Sequence, residues 1–198
     1  MRKTILGVMS VLLIAAAAQN IHAADARADI TAAMHQMAKP GSKYHTVGVN
    51  TSDGKTMKSS VDIIMPDHFH VIGDRAEIIV IPEGSWMKHD STWQKLPMDM
   101  SRMIGQFTPA AMAEAEKNMS DAKFLGDGSI NGEKAKTYSY TTTMSIMGIK
   151  STSNAKIWVS DSSGRVIHME SDGSAMGKTT HTVQDITYDN SIAITPPN

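Results

Sequence analysis

No cysteine occurs in the 198 residues. That excludes disulfides, a thiol nucleophile, thiolate metal centres and a cysteine to carry a lipid at a processing site. Aromatic residues are scarce at 5%. No charge of one sign dominates: 19 Lys and Arg face 20 Asp and Glu. Without a basic stripe, nucleic acid is not an expected partner. The chain also lacks a G-x-S-x-G elbow, an H-E-x-x-H pair and a glycine-rich phosphate loop. These absences point away from the common hydrolase, zincin and nucleotide-binding classes, and the chain is read as a non-enzyme. No cofactor is expected.

The one long apolar run is an address. Arg2 and Lys3 precede the uncharged stretch from Ile5 to Ala18, and small residues end at Ala23. A charged start, a short apolar middle and a small-residue end make a secretory signal peptide. The run is short for a membrane span of ~20 residues. Residues 1–23 are therefore expected to be removed, leaving one domain over 24–198. Their removal takes away Arg2 and Lys3 and moves the formal charge from −1 to −3. A bacterial periplasm is the expected compartment, with release to the medium as the alternative.

Methionine stands in for the missing aromatics, with 16 copies. Flexible thioethers suit irregular or adaptable apolar surfaces. Near the start, Ala26, Ile30, Ala33, Met34 and Met37 recur at helical spacing until Pro40-Gly41, which predicts a helix with one apolar stripe. Strand signals follow. Met57, Ser59, Val61, Ile63 and Met65 point one way, and Lys58, Ser60 and Asp62 the other. The run Glu77 to Pro82 is apolar on both faces and should be covered on both. Asn131-Gly132 marks a tight hairpin. Tyr138, Tyr140 and Thr142 share one face, and Ile157 and Val159 lie opposite Trp158. Ile192 and Ile194 read as a short final edge strand before Pro196-Pro197. About ten antiparallel strands result, and a sheet that wide must curl.

One helical stretch interrupts the strands. From Glu83 to Asn118 the chain carries Trp86 and Trp93, a methionine-rich segment, and a helix start at Thr108-Pro109. A helix in the mouth of a curled sheet covers an interior that side chains or a ligand must fill. Trp86, Trp93, Met98, Met103, Phe107 and Met112 are the expected lid or cavity-wall residues. Plain core packing is a nearly equal reading of the two tryptophans, because in a half-barrel core and cavity wall are one surface.

Two metal readings compete. Met98, Met100 and Met103 form a thioether cluster of a kind suited to Cu(I), although on a helix only Met100 and Met103 share a face. His68 and His70, two apart on a strand, could chelate a divalent ion, but no third ligand can be assigned. Apolar packing for the methionines and solvated imidazoles for the histidines are the stronger expectations.

The strand phrases VDIIMPDHFHVIG, EIIVIPEGSWMKHDSTWQKLP, FLGDGSINGEKAKTYSY and KIWVSDSSGRVIHME resemble the LolA-like family of periplasmic lipoprotein carriers and sorting proteins. The resemblance extends over Asp25 to Pro197. It implies a mainly β, α+β architecture: a curved antiparallel sheet forming an unclosed half-barrel, an N-terminal helix and a mid-chain helical lid. It also implies an apolar cavity for a lipid or acyl chain, and membrane-associated donor or acceptor proteins as partners. In the lipoprotein carriers an arginine on an early strand helps close the lid. Here the early strands carry Lys43 and Lys58 instead, and no lid-locking residue is carried over.

Overall fold

The computed structural model describes residues 23–74, 76–97, 100, 109–146 and 149–197. The expected signal peptide falls almost wholly outside these residues, as do Met98, Met103 and Phe107.

Helix α1 (Ala23–Ala38) leads into eleven strands. They are β1 (Lys43–Ser52), β2 (Lys55–Ile64), β3 (His68–Gly73), β4 (Glu77–Ile81), β5 (Gly84–His89) and β6 (Thr92–Lys95), then β7 (Met119–Ile130), β8 (Glu133–Ile146), β9 (Ile149–Ser160), β10 (Val166–Ala175) and β11 (Lys178–Tyr188). Helix α2 (Pro109–Lys117) stands between β6 and β7. The sheet runs β6-β5-β4-β3-β2-β1-β11-β10-β9-β8-β7, every characterised pair antiparallel. The chain thus builds two meanders and joins them edge to edge through β1 and β11. Among the described residues strands β6 and β7 remain as free edges, so the half-barrel is unclosed, as the resemblance led one to expect; the strands number eleven where the pattern suggested about ten.

Local chemistry explains the turns. Asn131 and Gly132 both take positive φ, 51° and 84°, the conformation a two-residue hairpin needs to match strand twist. Asp53 and Gly54 do the same between β1 and β2. Helix α1 stops where the pattern predicts, and Gly41 then closes onto β2's end by donating its N–H to the Met65 carbonyl at 2.9 Å.

The main core lies between the concave face and α1. Ala26, Ile30 and Ala33, all but inaccessible, meet Ile63, Phe69, Tyr138 and Ile157. Two alanines on the docking stripe let the helix lie close to the sheet. Tyr138 reinforces the contact, donating its hydroxyl to Asp29 of α1 at 2.7 Å.

A second, smaller cluster sits on the outer face. Ile79, Ile81 and Ile194 are buried there with Ile64, Trp86, Trp93 and Ile192 packed around them. The apolar run in β4 is therefore covered on both faces, as its composition predicts. The covering differs from expectation at the C-terminus. Ile192 and Ile194 form no strand; they lie in an irregular tail across the outer face. Burial against Ile79 and Ile81 supplies the driving force. Lys43 donates to the carbonyls of Asn190 at 3.2 Å and Ile192 at 2.7 Å, holding the tail in place.

Candidate functional site

The concave face is only partly filled. A cavity of about 620 Å³, mostly apolar, opens between the sheet and the two helices. Its floor comes from alternate residues of the central strands: Tyr44, Thr46 and Gly48 of β1, Val61 of β2, Ile78 and Val80 of β4, Ile157 of β9, Met169 of β10 and Ile186 of β11. Period-two alternation puts these side chains on one face and their neighbours on the other. The roof is Met34 and Met37 of α1 with Ala111, Met112 and Ala115 of α2. Ligand pockets commonly enclose ~300–1,000 Å³ and are lined mainly by apolar groups with a few polar ones.

Met100 completes the wall. Ser85 holds both Leu96 and Met100: its carbonyl accepts from Leu96 N–H at 2.8 Å and its hydroxyl accepts from Met100 N–H at 3.2 Å. Ser85 shares the concave face because it pairs with Val80.

Two ties hold the roof. Arg27 of α1 donates to the carbonyl of Glu116 at 2.6 Å and to that of Met119 at 2.7 Å. A cation at a helix C-terminus satisfies carbonyls that lack intrahelical partners and complements the dipole. His35 of α1 adds a contact to the Glu116 carboxylate at 3.0 Å. Sequence reasoning missed Arg27, which sought such a residue on the early strands. The partners lie 89 and 92 residues away, so no local pattern announces them. Arg27→Ala is expected to cost about 0.5–1.5 kcal/mol, the net range for an ordinary hydrogen bond, because the side chain is exposed and water can take its place. Amide exchange should quicken in α2 well before the sheet. Unchanged protection in α2 would show that packing alone holds the roof.

Of the six residues expected at the lid or wall, Met112 lines the cavity. Trp86 and Trp93 stand on the other side of the sheet. Trp86 is directly across from Ile79, and Ile79 faces outward because Ile78 and Val80 face the cavity. Trp93 is across from Lys88 on the same outer face. Each ring carries a lysine: Lys95 lies 5.0 Å from Trp86 and Lys88 5.5 Å from Trp93. The third tryptophan, Trp158, also lies outside the cavity wall, edge-on to His168 at 4.7 Å. The aromatic side chains in the cavity wall are instead Tyr44 and Tyr140. Burial raises both hydroxyl pKa values, that of Tyr140 to about 12, so both stay protonated at neutral pH.

On the outer face His45, His68 and His70 are occupied by carboxylates. His45 contacts Asp62 at 2.6 Å, and His70 lies between Asp62 at 3.6 Å and Glu77 at 3.0 Å. His68 contacts its neighbour Asp67 at 2.7 Å. Lys88 donates to Glu77 at 2.7 Å, and this bond first of all holds the Glu77 carboxyl below the usual carboxylate range. Among the described residues no three His, Asp or Glu side chains converge as a metal site would require. Of the methionine cluster, Met100 is the member within the described residues, and it faces the cavity. Among the described residues no helix is long and apolar enough to cross a membrane.

No family model matches the chain, and no curated protein matches it. Solved structures do. The lipoprotein LppX of Mycobacterium tuberculosis superposes with a TM-score of 0.61 at 13% identity, over 86% of this chain and 98% of that one. LprF from Mycobacterium bovis gives 0.59 at 12% identity, over 88% and 97%. At such identities the likeness is one of fold. It extends over nearly the whole of both neighbours, and with the unclosed sheet and its helical cover it shows that this chain shares their unclosed half-barrel fold.

Proposed function

We propose that this protein is an exported, non-enzymatic carrier or sensor that holds the acyl chain of a lipid or lipoprotein in its half-barrel. The observation that carries the reading is the cavity. A folded core ordinarily packs to near-crystalline density, with few voids larger than a water molecule. An apolar space of about 620 Å³ on the face where a core belongs is a space for a guest. Affinity would come from apolar area removed from water, at ~25 cal/mol per Å². The fold shared with LppX and LprF supports the reading. Export to the periplasm rests on the start of the sequence, with membrane-associated donor and acceptor proteins as the expected partners.

Native mass spectrometry of protein purified without detergent from its own cell envelope tests this. The expected spectrum contains the chain from about Ala24 with an adduct in the lipid mass range, removed by organic extraction. A bare chain, binding no added acyl compound after extraction, would overturn the proposal. A copper adduct abolished by changing Met98, Met100 and Met103 to leucine would replace it with the metal reading.

A further inference from the structure

Gly48 is the anomaly of the cavity floor. It lies mid-strand in β1, and its φ is not among the positive values that call for glycine. It marks no bulge: β1 pairs in unbroken register with β2 on one side and β11 on the other. A glycine inside a strand weakens it, and where no bulge or bend explains it, it often marks close approach by a ligand or another backbone. Its flanks are specific. Ser59 and Gln184 are its direct cross-strand partners. A Cβ at residue 48 would lie 3.4 Å from Gln184 Cγ, 3.6 Å from Ser59 Oγ and 3.7 Å from Gln184 Nε2. The missing side chain thus leaves a notch walled by an amide and a hydroxyl.

The notch sits in a gradient. One rung deeper, Thr46 pairs with Ile186 above the apolar floor. One rung outward, Asn50 donates to Thr182 Oγ1 at 3.2 Å, so those two side chains are paired with one another. Gln184 and Ser59 make no side-chain hydrogen bond to any described residue. No charged side chain lines the cavity among the described residues. Ser59 is exposed and Gln184 half-buried, so both reach solvent, and neutral donors at the edge of an apolar cavity recognise a dipole rather than a charge.

Resting on the acyl-chain reading above, we infer that the Gly48 notch receives the carbonyl linkage of an acyl ester or amide. The hydrocarbon lies over the apolar floor, the Gln184 amide donates to the carbonyl oxygen, and the head projects past Asn50 and Thr182 to solvent. The ligand class is therefore an ester- or amide-linked acyl lipid rather than a bare hydrocarbon or an alkyl ether.

Displacement of the neutral probe N-phenyl-1-naphthylamine tests this. The competitors are 1-monomyristoylglycerol and its ether analogue, which has the same head and comparable chain length but no carbonyl. Wild type should bind the ester at least fivefold tighter than the ether. Gln184→Leu, close in volume, should erase that preference, bringing ester and ether to equal affinity. Gly48→Val should fold normally and bind the ester at least tenfold more weakly, with a smaller loss for the ether, so that the ester preference goes. A preference that survives Gln184→Leu, or ester binding that survives Gly48→Val, overturns the notch while leaving the cavity reading intact. If neither the naphthylamine nor the ester binds wild type, the cavity reading falls and the notch falls with it.

Discussion

Phe69→Ala is expected to remove about 3–5 kcal/mol of stability, the range for truncating a buried phenylalanine. Phe69 is 0% exposed, with Ile63 and Val80 directly across from it on β2 and β4, so the hole it leaves is lined by a packed floor that cannot collapse. A domain of ordinary stability holds only ~5–15 kcal/mol in total. The same truncation on the other side of the cavity should behave differently. Met112 of α2 packs on one flank and faces empty space on the other. Its outer atoms have few partners to lose, so Met112→Ala should cost about 1 kcal/mol, below the usual range for a buried methionine. Urea unfolding of both variants gives the comparison. Equal losses would mean that α2 is an integral part of the core and that the cavity is filled in solution.

Filling the cavity should abolish its use. Ala115 is in the roof and Met169 in the floor. Each tryptophan brings a side chain that covers roughly 150–250 Å² when buried, and two of them crowd the space from opposite sides. The double variant Ala115→Trp with Met169→Trp is expected to bind an acyl probe at least a hundredfold more weakly than wild type. Its melting temperature should hold or rise, because the new rings enter a void rather than an occupied core. The native tryptophans stand outside the cavity wall, so they act as spectators, and the introduced indoles report the filling directly. A folded double variant that still binds the probe would locate the ligand elsewhere. A lowered melting temperature would show that the space is smaller in solution than about 620 Å³.

Much of the architecture could be read from local pattern. The helical stripe of Ala26, Ile30 and Ala33 gave α1 and its buried face. The Asn131-Gly132 turn has the positive φ values its type demands. The unbroken apolar run in β4 is covered on both faces. These features depend on residues a few positions apart, whose spacing fixes which side chains share a face.

Strand alternation separates a strand's residues into two sets, but it is silent on which set faces the concave side. That choice rests on curvature and on pairing between segments far apart in the chain. Trp86 and Trp93 show the consequence: their parity was legible, while their side was decided by Ile79 and by the C-terminal tail that covers them. Arg27 reaches α2 across 89 residues, and Gly48 meets Gln184 only because β11 returns to pair with β1. The amino-acid order therefore sets the elements, their turns and their two-faced character, since these arise from backbone geometry and neighbouring side chains. The tie over the roof and the notch in the floor belong to the tertiary structure, because each is made by groups that approach only after the two meanders join.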